Sequence, residues 1–235
     1  MRLIHHSGPV AVARSRALPC RAHPVTLTLR GGVPLDHAMT DALGGLGFAA
    51  GYLRLDGAQM ARLDYVRPAR ASGQGHAAWY SETYQLRDAG IAQAGAHLGL
   101  RDGRAFVHCH GLWGGAAGHM LVADSVLACD TQVIGWGLSG AILVAEPDAE
   151  TLFTLFQPAP APDRDGGLPA LLATLRPNQD VAAGIVGLAA QAGFQNAQVE
   201  GIGSTVGADL IGGAITESYG TEFLITEATV QRGSL

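Results

Sequence analysis

The stretch from Arg104 to His119 constrains this chain most, because it combines a strand pattern, a run of glycines and three histidines. His108 and His110 are two residues apart, so on a β-strand their side chains point to the same face. The glycine-rich segment 111–118 is expected to form a loop that folds back tightly, since glycine accepts φ values that other residues avoid. His119 would then return to meet the first two histidines.

Three converging imidazoles form a set of nitrogen donors for a borderline metal such as zinc, with a fourth coordination position left open. The spacing alone leaves two alternatives open: the histidines could handle protons, or they could have a purely structural role. Cys109 lies between the two strand histidines and is expected to point to the opposite face, into the core.

The composition favours many turns and short strands over long helices. The chain has 235 residues, of which 48% are hydrophobic, only 15% are charged and 33 are glycine. The net charge is −5, and the basic residues are arginines scattered along the chain. Direct DNA binding is therefore disfavoured, because a nucleic-acid-binding domain usually has a basic patch or a high pI.

The cysteines and the apolar segments indicate the cellular compartment in which the protein is expected. Cys20, Cys109 and Cys129 lack Cys-x-x-Cys spacing and do not indicate a disulfide framework. Histidines and arginines interrupt the N-terminal residues, so no signal-peptide stretch is predicted, and no segment is apolar enough to span a membrane. We therefore expect a cytoplasmic protein without a membrane partner.

Hydrophobic patterns predict both helix and strand. Val25–Leu29 alternates as a strand does, and 35–46 has apolar residues at helical spacing with Gly47 as its stop. The aromatic-rich stretch 77–86 is predicted to be a strand. Its side chains could line a pocket or simply pack across strands; they are Trp79, Tyr80, Glu82 and Tyr84.

Part of the pattern recurs at an offset of 146 residues. The matching pairs are Thr28-Leu29-Arg30 with Thr174-Leu175-Arg176, Gly47-Phe48 with Gly193-Phe194, and Gly57 with Gly203. This predicts an internal duplication whose second copy has a helix over 181–192 but is truncated before any histidine cluster. A segment rich in proline and glycine lies between the copies. The predicted organisation is an N-terminal extension 1–23, a domain 24–157, a linker 158–167 and a truncated repeat 168–235.

The order of these motifs resembles the PPC (plants and prokaryotes conserved) domain, found in AT-hook plant proteins and in stand-alone prokaryotic proteins. The resemblance covers residues 24–157, with 168–235 as a truncated repeat. The motifs that carry it are Thr28-Leu29-Arg30 followed by a helix and Gly47-Phe48, then Val107-His108-Cys109-His110, and finally Gly118-His119-Met120-Leu121.

The resemblance implies an α/β fold of the α+β type, a mainly antiparallel sheet with a packed helix, assembled as a homotrimer or a pseudo-symmetric oligomer. It also implies that His108, His110 and His119 hold zinc or a similar divalent metal. Gly118, in the Gly-His element, is a further candidate pocket residue. Two departures stand out. The family often has a glutamate after the Gly-His-Leu element, where this sequence has Asp130-Thr131-Gln132-Val133, and the segment between the histidine motifs is shortened.

Three functions follow as hypotheses. The preferred one is an oligomeric binding and assembly protein with a three-histidine metal site, and the sequence leaves open whether the chain is an enzyme. The second is a metal-assisted hydrolase or lyase that uses Glu82 or Asp130 as its base. The third is a DNA-associated regulator, which only the plant members of the family suggest, and no Arg-Gly-Arg-Pro core occurs in this chain.

Overall fold

The computed structural model describes residues 3–71, 73, 75–206, 208–209, 215–216 and 220–235. Two α-helices lie within these residues, α1 Leu35–Gly45 and α2 Val181–Gln191. The strands of the described residues are β1 Ser15–Leu29, β2 Ala50–Arg54, β3 Gln59–Val66, β4 Pro68–Ala69, β5 Trp79–Tyr80, β6 Tyr84–Arg101, β7 Arg104–Trp113, β8 Ala116–Met120, β9 Val126–Leu127, β10 Thr131–Ser139, β11 Ala141–Pro147, β12 Thr154–Pro160, β13 Leu168–Leu175, β14 Asn196–Gln198, β15 Gly201–Thr205, β16 Ala208–Asp209, β17 Ile215–Thr216, β18 Thr221–Ile225 and β19 Thr229–Gln231.

Eleven of these strands form one sheet, and its main path runs β13-β1-β10-β2-β6-β7-β8-β3-β9, with β11 joining β6 to β12. All pairings in the described residues are antiparallel except that of β11 with β6. The first half of the long strand β6 pairs with β3, so β6, β7, β8 and β3 form a closed circuit. The predicted α+β class with a mainly antiparallel sheet is confirmed.

The register divides the central strands into two faces. The cross-strand row of Leu53, Ala96, Cys109 and Met120 is at most 1% exposed and belongs to the main core. Side chains at adjacent positions point to the other face, and these include the row Tyr52, His97 and His108. The predicted placement of Cys109 in the core is therefore confirmed.

Helix α1 packs on the core face and forms where its sequence pattern predicts. The buried side chains of the helix recur at helical spacing; they are Leu35, Ala38, Met39 and Leu43. Gly47 ends the helix with φ +80°, and its N–H donates to Gly44 O, while the Phe48 N–H donates to Leu43 O. A residue with positive φ after the last turn is the usual way to satisfy the free carbonyls there.

Residues 15–23 correct the prediction of an N-terminal extension, because they belong to β1. Residues 15–22 pair with β13, and 21–29 pair with β10. Pro19 and Pro24 argue against an interior strand because proline lacks an N–H donor. Each of them lies in a half of β1 that pairs with one strand only, so these positions resemble edge-strand positions, where proline is tolerated.

Two other predicted segments differ in their bounds. The stretch 77–86 is interrupted, since β5 pairs only with β4 and β6 begins at Tyr84. The predicted linker 158–167 begins inside β12, and the sheet continues beyond it with β13. Residues 1, 2, 72, 74, 207, 210–214 and 217–219 of the predicted segments lie outside the described residues. Within the described residues, neither helix has the length and apolar content needed to cross a membrane.

The residues after α2 lie against the face of the sheet that carries the histidines. Arg54 Nη1 of β2 donates to Thr226 O at 3.1 Å, and Trp136 Nε1 of β10 donates to Glu200 Oε2 at 2.5 Å. Strand β18 also contacts β7 and β8. The C-terminal residues therefore cover the second face of the sheet, opposite the face on which α1 packs.

Candidate metal centre

The three histidines lie on one β-hairpin formed by β7 and β8. Gly114 and Gly115 form its two-residue turn, with φ +54° and +76°. Two consecutive positive φ values suit the right-handed twist of a hairpin, and glycine adopts them without strain. The predicted loop over 111–118 is therefore wrong in extent, because only its two central glycines turn and the rest is paired strand.

The hairpin register brings His119 directly opposite His110. His108 lies two residues from His110 on the same face of β7, as predicted. Ring centroids are separated by 4.7 Å for His108 and His110, by 4.7 Å for His108 and His119, and by 5.3 Å for His110 and His119. The predicted convergence of the three rings is confirmed.

The potential ligand atoms of the three histidines lie within 4.8 Å of one another, and two of them, His108 Nε2 and His110 Nε2, are 2.9 Å apart. Two nitrogens bound to a tetrahedral zinc at 2.0–2.1 Å are about 3.3 Å apart. The observed separations fall on both sides of that distance, so small side-chain rotations would bring the donors into place. The residues present therefore fit a three-nitrogen metal site.

The far nitrogen of His110 is held by the C-terminal residues. His110 Nδ1 lies 3.1 Å from Gly203 O on β15 and 3.2 Å from Glu222 Oε2 on β18. Ser204 Oγ donates to the same Glu222 oxygen at 2.6 Å. An Nδ1–H that donates to these acceptors leaves Nε2 as a lone pair facing the other histidines. A carbonyl or carboxylate that orients the far nitrogen is a regular feature of metal-ligating histidines.

Burial lowers the pKa of every histidine in this region. It lowers the pKa of His110 to about 3 and that of His119 to about 4, with the neighbouring His119 adding to the effect on His110. The pKa of His108 falls well below its usual value for the same reason, with His110 and His119 adding to the effect. The rings are therefore neutral at pH 7, and their lone pairs are available to a metal without losing a proton first.

Burial has the opposite effect on Glu222, because it disfavours the charged carboxylate. It raises the pKa of Glu222 to about 7, while the hydrogen bond from Ser204 works in the other direction. Only 6% of this side chain is exposed. The carboxyl group therefore changes its charge near neutral pH beside one of the three histidines.

The predicted pocket residues are dispersed. Of these residues, Tyr80 contacts the histidine cluster, with its ring edge-on to His119 at 5.7 Å. Trp79 stacks on Phe153 at 5.5 Å, and Glu82 is exposed. Gly118 does not line a pocket: a Cβ there would be 2.7 Å from Val66 O, so the glycine permits close packing on β3.

A small cleft of about 100 Å³ lies beside the cluster, toward the hairpin turn. None of the predicted pocket residues lines it. Its walls come from β6, from the hairpin and from the C-terminal residues, which are far from the other two in sequence. Its lining residues are Gln93, Gly111, Leu112, Ala117, Glu222, Phe223, Leu224 and Thr226.

Sequence reasoning missed two groups of residues at this site. His97 on β6 lies directly opposite His108, and the Asp102-Gly103 turn between β6 and β7 is a hairpin signal that places it there. Glu222 and Gly203 reach His110 from more than 90 residues away in sequence, and no local pattern connects them with it. Asp130, proposed as a base, accepts instead from the Gly31 N–H at 2.9 Å.

No family model matches this chain. No curated protein matches it either. Several solved structures are similar to it. A metal-containing protein from Archaeoglobus fulgidus has a TM-score of 0.44 and 17% identity, over 67% of this chain and 99% of that one. A candidate DNA-binding protein from Ralstonia eutropha JMP134 has a TM-score of 0.43 and 14% identity, over 58% and 95%.

A plant- and prokaryote-conserved (PPC) protein from Pyrococcus horikoshii has a TM-score of 0.40 and 14% identity, over 63% of this chain and 97% of that one. The family whose motifs this sequence resembles is thus represented among the structures to which the chain is similar. Because these TM-scores are below 0.5, the function proposed for the chain rests on its own residues and their geometry.

Proposed function

We propose that this chain is a PPC-like binding and assembly protein whose hairpin β7–β8 holds zinc or a similar divalent metal. The observation that carries the proposal is the contact between His108 Nε2 and His110 Nε2 at 2.9 Å. With His110 Nδ1 donating to Gly203 and Glu222, its Nε2 bears a lone pair. Such a contact needs either a hydrogen on His108 or a cation shared by the rings.

The metal would supply a positive charge and an open coordination position, while the chain supplies three neutral nitrogen ligands. Imidazole ligands suit zinc, copper, iron and nickel, so the donor set leaves the identity of the metal to experiment. Glu222 and Gly203 would fix the orientation of His110, and Ser204 would fix Glu222.

Metal analysis of protein purified without an affinity tag tests the proposal. We expect the wild-type chain and a His37→Ala variant, which changes an exposed histidine on α1, to contain equal amounts of metal. A His108→Ala/His110→Ala variant should contain almost none, because one imidazole does not hold a divalent ion at micromolar concentration. Equal metal content in all three proteins would refute the site.

We also propose that residues 168–235 are a truncated second copy of the first domain. Helices α1 and α2 are both eleven residues long and lie 146 positions apart. Gly47 and Gly193 have φ +80° and +79°, and the following N–H groups donate to equivalent carbonyls, Phe48 to Leu43 and Phe194 to Ala189. The copies diverge beyond this point, since Gly57 has positive φ whereas the equivalent Gly203 lies in the paired strand β15.

Self-association as a homotrimer or a pseudo-symmetric oligomer is part of the same proposal and rests on the family resemblance. The covering C-terminal residues favour the pseudo-symmetric form, in which the second copy takes a place that another subunit would otherwise fill. Light scattering of the purified protein at several concentrations tests this idea. A monomer at every concentration would contradict the homotrimer.

A metal-assisted hydrolase or lyase is the second candidate, and Glu222 is the observation that favours it. A carboxylate with a pKa of about 7 matches the requirement for a general base at neutral pH. Its Oε2, however, faces the Nδ1 of His110, on the side of the ring away from the other histidines. That orientation favours a role in positioning His110, which is why binding and assembly is preferred.

A DNA-associated role has less support. Two structural neighbours are candidate DNA-binding proteins, but the present chain has a net charge of −5. Fluorescence anisotropy with a generic duplex at low salt is the sensitive test, because phosphate contacts are strongest there. We expect no binding at micromolar protein concentration. Saturable binding would support the DNA-associated role.

A further inference from the structure

Two buried polar atoms beside the histidine cluster have no hydrogen-bond partner among the described residues. They are Tyr52 Oη and His97 Nδ1. Tyr52 is only 3% exposed, and its ring packs against that of His97 with centroids 4.7 Å apart. A buried polar atom without a partner loses its hydrogen bonds to water and gains none in return, so two such atoms side by side call for an explanation.

The register places this pair against the cluster. His97 lies opposite His108, and Gly95 lies opposite His110, in the antiparallel pairing of β6 with β7. The Tyr52 hydroxyl lies over Gly95, because a Cβ at Gly95 would be 2.1 Å from Tyr52 Oη. Cross-strand Cβ atoms are about 4.5–5.5 Å apart, which puts Tyr52 Oη within about 8 Å of the His110 Cβ.

Gly95 allows the Tyr52 hydroxyl to lie this close to the strand. Glycine in the middle of a strand weakens it, and it often marks a place where another group approaches closely. Here the approaching groups are Tyr52 Oη and Leu224 Cδ1, which would be 2.7 Å from the same Cβ. The missing side chain thus makes room for a hydroxyl to reach toward the histidines, while the C-terminal residues close the space above it.

The charge of a bound metal indicates what Tyr52 and His97 would bind. Three neutral imidazoles leave the double positive charge of a bound metal uncompensated in a buried site, which is unfavourable without an anion. Glu222 does not face the cluster directly, since it contacts the far nitrogen of His110. An anion from solution would find the metal on one side and the Tyr52 hydroxyl as a donor on the other.

We propose that Tyr52 and His97 form an anion-binding wall of the metal centre that holds a small carboxylate or similar oxyanion beside the metal. This inference rests on the proposed metal function. Tyr52 donates its hydroxyl hydrogen to an oxygen of the anion, and His97 donates a ring N–H to the anion. Neither residue is a metal ligand.

The test uses the full chain loaded with Co²⁺, whose visible absorption reports changes in coordination, and acetate as the probe. At pH 7 we expect acetate to change the spectrum of the wild-type protein. Tyr52→Phe should bind cobalt as tightly as the wild type but acetate at least tenfold more weakly. Tyr65→Phe is the matched control, because Tyr65 is equally buried, at 4% exposure, but belongs to the main core on the opposite face of the sheet. Its acetate affinity should not change.

His97→Phe is the second variant, since it keeps a ring beside Tyr52 and removes both ring nitrogens. We expect it to weaken acetate binding in the same direction. If cobalt binds but acetate leaves the wild-type spectrum unchanged, or if wild type and Tyr52→Phe bind acetate equally, the anion-binding wall is refuted and the metal site stands. If the wild-type chain binds no cobalt, the metal function fails, and the inference fails with it.

Discussion

At the scale of single residues, His110 is the centre of the site because both of its ring nitrogens contact other polar groups. Nε2 faces His108, and Nδ1 faces Gly203 and Glu222. The ring is 2% exposed, so water does not compete for either nitrogen. Its orientation therefore depends on a carboxylate and a carbonyl that come from the C-terminal residues.

Replacing Glu222 with Ala should lower zinc affinity by about 10–100-fold, which is the usual effect of losing the group that orients a ligating histidine. Glu222→Gln should lower zinc affinity by less, because the amide oxygen of the glutamine still accepts a hydrogen bond from His110 Nδ1. Competition with a chromophoric chelator measures both affinities. Glu82→Gln, at an exposed glutamate, is the control and should match the wild type; an unchanged affinity in Glu222→Ala would contradict the positioning role.

The lowered histidine pKa values predict how the metal-free protein responds to acid. The folded protein holds His97 and His119 at a pKa of about 4 and His110 at about 3, whereas unfolded histidine titrates near 6.5. Between these values the unfolded chain binds more protons, so stability is full above pH 6.5 and is lost as pH falls toward 4. Each histidine contributes up to about 1.4 kcal/mol per pH unit.

Glu222 works in the opposite direction, since its folded pKa of about 7 exceeds the ordinary 4.5 and favours folding as pH falls through that interval. The contribution of one carboxyl group to the pH dependence of stability offsets that of only one histidine. The other histidines therefore still make the protein less stable in acid. Urea unfolding of the metal-free protein at pH 7, 6 and 5 measures the slope. His110→Gln should flatten it, and equal stability at all three pH values would show that the histidines are not buried as described.

At the scale of elements, two hairpins assemble the site. The turn at Asp102 and Gly103 sets His97 opposite His108, and the turn at Gly114 and Gly115 sets His119 opposite His110. Both turns consist of two residues with positive φ. Because side chains alternate between faces, a shift of one residue in either register would move a histidine to the core face.

Two glycine variants separate the strain of a turn from its effect on the site. Gly115→Ala and Gly103→Ala both place a side chain at positive φ, +76° and +72°, with no atom within 4 Å of the new Cβ. Each should destabilise the protein by about 1–2 kcal/mol. Only Gly115→Ala should also weaken zinc binding, because it strains the turn that holds His119 in register. Thermal unfolding and zinc competition measure the two effects, and equal zinc affinity in both variants would contradict this assignment.

At the scale of the whole molecule, the residues after 157 complete the first domain in two places. Strand β13 pairs with residues 15–22 of β1, so that half of β1 is not an open edge. The residues after α2 cover the histidine face through Glu222, Glu200 and Thr226. Unpaired strand edges and exposed apolar faces both favour aggregation.

Deleting residues 158–235 should therefore make the protein aggregate, because it exposes the edge of β1 and uncovers Tyr52, Trp136 and the histidines. Removal of residues 233–235 alone, which are exposed, is the control and should leave solubility unchanged. Sedimentation and light scattering of the two truncated chains measure the difference. A soluble product of the larger deletion, with the same oligomeric state as the full chain, would show that the covering has no structural role.

Much of the architecture follows from local sequence alone. The helix over 35–45 with its glycine stop, most of the strands and the shared face of His108 and His110 depend on side-chain periods of 3.6 and 2, which a sequence displays directly. The return of His119 also follows from local sequence, because the Gly114-Gly115 pair is a signal for a two-residue hairpin turn, which is shorter than the predicted loop.

Tertiary structure decided the rest. Glu222 and Gly203 meet His110 only because the C-terminal residues fold back across the sheet, and Tyr52 reaches the cluster only because β2 pairs with β6 above a glycine. Contacts between distant segments depend on which strands pair and on what covers each face. The sequence by itself therefore determined the three nitrogen donors and their shared face, whereas the tertiary structure decided which groups orient them and close the site, because burial and long-range pairing exist only in the folded chain.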